Sequence, residues 1–236
     1  IPGDVDALSQ DPNIVVSQTP GENVGFIAYN TQQAPFDKKE VRQALNMAVN
    51  KEAILEGVYA GKAQLAINPL PASSWASDPA GTIGTYDPEA AKKMLADAGV
   101  ENLSLKLWWM PVARPYNPNG KRMGELLQAD WSAIGVNVEL VSMDWPVYLE
   151  ESSKVDRDGA VMIGWGADNA DPDNFLGVLL SCAAVGSNNR AQWCNEDYDA
   201  LIQKAKGTFD QAERAAIYFE AEKIFHEEAP WLLLAH

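Results

Sequence analysis

The stretch DPEAAKKMLADAGVENLSLKLWW, residues 87–109, decides the fold class. Asp87 followed by Pro88 is a helix start. The carboxylate can accept a free N–H of the first turn, and proline's fixed φ suits the first helical position. Ala91, Met94, Leu95 and Ala98 then fall on one face at helical spacing, and Gly99 is a stop. A few residues later Leu103–Trp109 is an apolar run that reads as a strand. A helix that gives way so quickly to a strand is the repeating half of an α/β layer structure.

The same unit recurs on either side. Downstream, residues 118–134 carry Met123, Leu126, Leu127, Ala129 and Trp131 in a long helix closed by Gly135, and residues 136–141 alternate as a strand. Residues 147–155 read as a short helix, and the polar turn Asp156-Arg157-Asp158-Gly159 leads into a strand over Ala160–Trp165. Three helical segments follow a loop over Gly166–Asn174, with Asp173 or Asn174 as the expected cap of the first. The longest segment is Asp210–Glu228, and an apolar strand begins at Trp231. Upstream, Val24–Tyr29 is a strand. Asp37 and Glu40 form a capping-box pattern ahead of a helix carrying Val41, Leu45, Ala48 and Val49. Asn50 caps a shorter helix that runs to Gly57, and residues 66–86, rich in Pro, Gly and Ser, form an irregular loop. The expectation is a single α/β lobe over residues 1–236 with helices on both faces of the sheet. Because the terminal apolar strand runs to the last residue and Ile1 stands where an initiator Met would, the lobe is expected to be cut from a longer protein.

Composition narrows the function. A net charge of −15 repels phosphate backbones and anionic lipid, which argues against nucleic-acid partners and membrane insertion. No apolar stretch reaches the ~18 residues that a membrane-spanning helix needs. Cys182 and Cys194 bracket a loop rich in Ser, Asn and Gly, either as two free thiols or as a disulfide of an exported protein. Two cysteines without a Cys/His cluster make no structural zinc site, and no metal or cofactor is expected.

Ligands of open α/β sheets sit beyond the carboxyl ends of strands. Two loops leave such ends: Met110–Asn119, with the isolated cation Arg114, and Gly166–Asn174, with Asp168, Asp171 and Asp173. Enzymatic readings find little support. His226 begins a zinc-protease-like HEE run but has no second histidine, and nothing resembles a nucleophile elbow or P-loop. The three aspartates could serve a calcium ion, though Pro172 breaks the spacing. They could serve as a glycosidase pair, receive a ligand's ammonium, or act only as caps and turn formers.

The runs VRQALNMAVNKEAI (residues 41–54), MPVARPYNPN (residues 110–119) and GWGADNADPDNF (residues 164–175) resemble the bacterial dipeptide-binding proteins of ABC importers, within family 5 of the extracellular solute-binding proteins. The likeness covers nearly the whole chain. It implies the C-terminal lobe of a type II periplasmic-binding protein, a mixed sheet flanked by helices, in a two-lobe protein about twice this length. It implies a binding protein and no enzyme, periplasmic or lipid-anchored outside the cell, that hands a dipeptide to an inner-membrane ABC permease. It further implies that Asp168 pairs with the peptide's ammonium and Arg114 with its carboxylate. Tyr116, Trp145 and Trp165 would wall the side-chain pockets, and Cys182 and Cys194 would be bonded. Longer peptides, haem or a metal chelate are the other ligands this resemblance leaves open.

Overall fold

The structure is a computed structural model that describes residues 2–100 and 102–236. Its centre is a five-stranded mixed sheet in the order β3-β2-β4-β1-β5. The strands are β1 (Asn23–Tyr29), β2 (Ser104–Trp108), β3 (Asn137–Val141), β4 (Ala160–Gly166) and β5 (Trp231–Ala235). β2 runs parallel to β3 and β4, whereas β1 is antiparallel to both neighbours, β4 and β5. The interior strand β1 is buried along Val24–Tyr29, as a strand covered on both faces must be, while the edge strand β3 buries Val138 and exposes Asn137 and Glu139.

The helices are α1 (Val5–Leu8), α2 (Lys39–Met47), α3 (Lys51–Tyr59), α4 (Pro88–Asp97), α5 (Gly120–Ala133), α6 (Trp145–Ser152), α7 (Asp173–Leu180), α8 (Glu196–Lys206) and α9 (Gln211–Glu228). Among the described residues five helix starts are capped by side chains. Asn50, Asp87, Asn119, Asn195 and Asp210 each accept the N–H of the residue three positions on. The core is continuous from α5 through the sheet to α9. Trp131 of α5 is fully buried and donates its Nε1–H to the Leu45 carbonyl of α2 at 3.0 Å. Phe26 stacks on Trp231 with ring centroids 3.6 Å apart. Among the described residues no helix is long and apolar enough to cross a membrane.

Four local expectations need correction. Asp37 does not cap α2. Lys38 occupies the cap with no side-chain bond, and the entry is set instead by buried Arg42, whose guanidinium takes the Phe36 and Asp37 carbonyls. Gly57 does not stop α3; a Cβ there would lie 3.1 Å from Leu126 of α5, so this glycine lets two helices approach. α6 starts at Trp145, with Pro146 in its first turn, and ends at Ser152. Neither Asp173 nor Asn174 caps α7. Asp171 accepts the Asp173 N–H, and the Asn174 side chain turns back into the preceding loop.

Candidate functional site

β2 and β4 pair only at Leu107–Ala160 and Trp108–Val161, then separate. Tyr148 of α6 plugs the gap: its hydroxyl donates to the Met162 carbonyl at 2.6 Å and lies 3.0 Å from that of Trp108. Its ring stacks on Trp145, with centroids 5.5 Å apart. A fully buried residue thus holds the first residue of α6 at the carboxyl end of the sheet.

The loop after β2 folds back over β1 and β4. Arg114 and Asn117 exchange two backbone hydrogen bonds at 3.0 Å, closing the turn Arg114-Pro115-Tyr116-Asn117. Tyr116 lies against Gly25 and Gly164, which are paired across β1 and β4. A Cβ on Gly25 would sit 2.3 Å from the Tyr116 carbonyl oxygen, and one on Gly164 would sit 2.2 Å from its ring. Only glycine on both strands admits this loop. Tyr59 of α3 donates to the same carbonyl at 2.8 Å. Burial raises the Tyr116 phenol pKa, partly offset by the Arg114 charge, so the phenol stays protonated. The Arg114 guanidinium lies 5.1 Å above the Trp145 ring.

The loop after β4 is organised by Asn174. Its Oδ1 accepts from Trp165 Nε1 at 3.1 Å and from the Asp168 N–H at 2.9 Å, and its Nδ2 donates to Asp168 Oδ2 at 3.3 Å. One buried side chain thereby aims both an aromatic and a carboxylate. The other two aspartates are committed elsewhere. Asp171 receives both η nitrogens of Arg214 at 2.8 Å. Burial pushes its pKa up, but the Arg214 hydrogen bonds, the Asp173 N–H and the charges of Arg214 and Lys206 together outweigh this and hold the carboxyl below its ordinary value. Asp173 pairs with Lys206 at 3.2 Å. The calcium and paired-carboxylate alternatives lose their ligands to these cations. Asp168 alone of the three is exposed without a cationic partner among the described residues.

Tyr116, Trp145, Trp165 and Asp168 line one open cleft of about 400 Å³. Arg114 stands at its margin, over Trp145. All five residues singled out in the sequence therefore meet at one end of the sheet. The cleft also contains side chains that the sequence did not bring forward: Leu149 of α6, Leu179 of α7, and Asn188 and Arg190 of the loop between the cysteines. A signal for Arg190 was present, since it is the one charged residue between Cys182 and Cys194. Those cysteines are bonded to each other. His226 lies elsewhere, hydrogen-bonded to Asn68 at 2.8 Å, with its pKa lowered first by burial and then by the Lys51 charge.

Residues 1–187 match the family described as "Bacterial extracellular solute-binding proteins, family 5 Middle". The chain belongs to this family of solute-binding proteins. The family is one of binding proteins and not of enzymes, and its type II periplasmic-binding-protein architecture is the mixed sheet with flanking helices described above. The chain is 47% identical over 236 residues to the di/tripeptide-binding protein 1 of Pseudomonas aeruginosa (strain UCBPP-PA14), matching 100% of this chain and 44% of that protein. It is 43% identical over 234 residues to heme-binding protein A of Haemophilus influenzae, matching 99% of this chain and 43% of that protein. The crystal structure of a dipeptide binding protein from Pseudoalteromonas sp. SM9913 in complex with Met-Leu superposes with a TM-score of 0.92 at 40% identity, covering 99% of this chain and 46% of the other. The chain thus spans somewhat under half the length of the relatives it matches.

Proposed function

We propose that residues 1–236 form the C-terminal ligand-binding lobe of a two-lobe solute-binding protein that captures dipeptides for an ABC importer. One observation carries the reading. A carboxylate without a cationic partner, Asp168, and a guanidinium without a carboxylate partner, Arg114, flank the same Trp- and Tyr-walled cleft among the described residues. A zwitterion with variable side chains needs one anion, one cation and apolar walls between them. At an effective dielectric near 20, an ammonium about 4 Å from a carboxylate is attracted by roughly 4 kcal/mol. Arginine suits the other end because its planar fork can bond both oxygens of a carboxylate.

Asp168 takes the peptide ammonium, Arg114 takes the carboxylate, and Tyr116, Trp145 and Trp165 enclose the side chains. The second lobe closes over the ligand by hinge motion, and the closed protein delivers it to the permease. Such a protein works outside the cytoplasmic membrane, free in a periplasm or held by a lipid anchor. The lone lobe, lacking the opposing surface, binds dipeptides at millimolar affinity or weaker.

Calorimetry on the full-length protein tests the anchors. Asp168→Asn weakens Met-Leu binding by 30-fold or more, and N-acetylation of Met-Leu causes no further loss in that variant. Equal affinities for wild type and Asp168→Asn rule out the ammonium role. The 43% identity to a relative described as heme-binding favours haem as a second ligand reading. A Soret-band titration of the same protein, with and without saturating Met-Leu, decides whether haem competes for this cleft.

A further inference from the structure

Besides Asp168 the cleft is lined by a second charged residue, while Arg114 stands at its margin. Arg190 lines it from the loop closed by the disulfide, together with Asn188 of the same loop and with Trp145 and Trp165. Its guanidinium is poorly satisfied. Nη2 makes one long bond, 3.4 Å, to the Leu149 carbonyl, and Nε is buried with no partner. No carboxylate lies within ion-pair distance of it among the described residues, although it shares the cleft with Asp168. Behind it Arg157, almost fully buried, donates to the Arg190 carbonyl at 2.7 Å and otherwise only to the backbone carbonyls of Ser152, Asp158 and Gly159. Two adjacent guanidiniums without a counter-ion are unexpected in a chain of net charge −15. A desolvated cation with free donors is costly unless an anion completes it.

We propose that Arg190, with Asn188 beside it, is an anion subsite that selects ligands whose first residue carries a side-chain carboxylate. This deepens the dipeptide reading and rests on it. Because Asp168, Trp165, Leu179 and Arg190 line one cavity, the first side chain of a peptide whose ammonium is held at Asp168 would lie within that cavity. A glutamate there would supply two oxygens to the planar fork, and Asn188 would supply a neutral donor. Glutamine has the same shape without the charge, so the pair isolates the electrostatic contribution.

Calorimetry on the full-length protein with Glu-Ala and Gln-Ala gives the test. In wild type at pH 7.5 Glu-Ala binds at least 10-fold more tightly than Gln-Ala, and Arg190→Gln reduces that ratio to below about 3. In wild type the ratio also falls towards one as the pH drops through the ordinary glutamate range near 4.3, a readout that needs no variant. A wild-type ratio near one, or a ratio that survives Arg190→Gln, overturns the subsite. A uniform loss for both peptides in Arg190→Gln overturns it too, because Arg190 then acts on what the two peptides share and not on the glutamate side chain. Gln-Ala reports separately on the underlying reading: if wild type binds neither peptide, dipeptide capture itself fails.

Discussion

Glu222 of α9 is fully buried, and its Oε2 accepts the Asp78 N–H at 2.7 Å. Burial, opposed by that hydrogen bond and reinforced by the Asp78 charge, raises the carboxyl from 4.5 to about 8. At neutral pH the native side chain is therefore protonated, while the unfolded chain has already released its proton. Between pH 4.5 and about 8 the unfolded state binds one proton fewer, so stability falls as pH rises. At 1.36 kcal/mol per pH unit the loss across that window is roughly 4 to 5 kcal/mol, an upper figure for a site that can relax. Glu222→Gln keeps an oxygen for the Asp78 N–H and has no proton to lose. Urea unfolding at pH 5 is expected to give similar stabilities for the two proteins. At pH 8 the variant is expected to be more stable by several kcal/mol, with an unchanged m-value. Other carboxylates titrate equally in both proteins and cancel from the difference. A difference independent of pH, or a variant less stable at pH 8, refutes the buried-acid argument.

Further outcomes follow from the site. Asn174→Ala removes the acceptor shared by Trp165 and the Asp168 N–H, and is expected to cost about 1–3 kcal/mol of stability and to weaken dipeptide binding about tenfold or more by calorimetry. Gly164→Ala drives a methyl group into Tyr116, and is expected to lower stability by about 1–3 kcal/mol in urea titrations and to weaken Met-Leu binding, because the Arg114–Asn117 turn must lift away from the sheet. Replacing Cys182 and Cys194 together by serine opens a loop with a sequence separation of 12 and is expected to cost about 3 kcal/mol, read as a lower thermal midpoint. The same variant is expected to narrow any preference for Glu-Ala over Gln-Ala, since Arg190 rides on that loop.

How much was legible differed by level. The α/β alternation was readable because helix and strand periods are local properties of neighbouring residues, and Asp87-Pro88, Gly99 and Gly135 mark their own boundaries. Boundaries set by partners far along the chain were not readable. Gly57 reads as a stop until Leu126 is beside it, and Asp37 reads as a cap until Arg42 is seen to occupy its carbonyl. The acidic loop shows the same division. Asp168, Asp171 and Asp173 are equivalent as letters. Arg214, 43 residues downstream of Asp171, and Lys206, 33 residues downstream of Asp173, take two of them and leave the third to face the cleft.

By itself the sequence determined the fold class, the two loops at the carboxyl ends of β2 and β4, and the opposite charges those loops carry, Arg114 on one and Asp168 on the other. Only the tertiary structure decided that Gly25 and Gly164 pair to seat Tyr116, that Asn174 aims Trp165 and Asp168 together, and that Arg190 reaches the same cleft without a counter-ion. The physical reason is range. Backbone periodicity and capping act within one turn or one strand, whereas the satisfaction of a charge depends on whichever residues folding brings within a few ångströms of it.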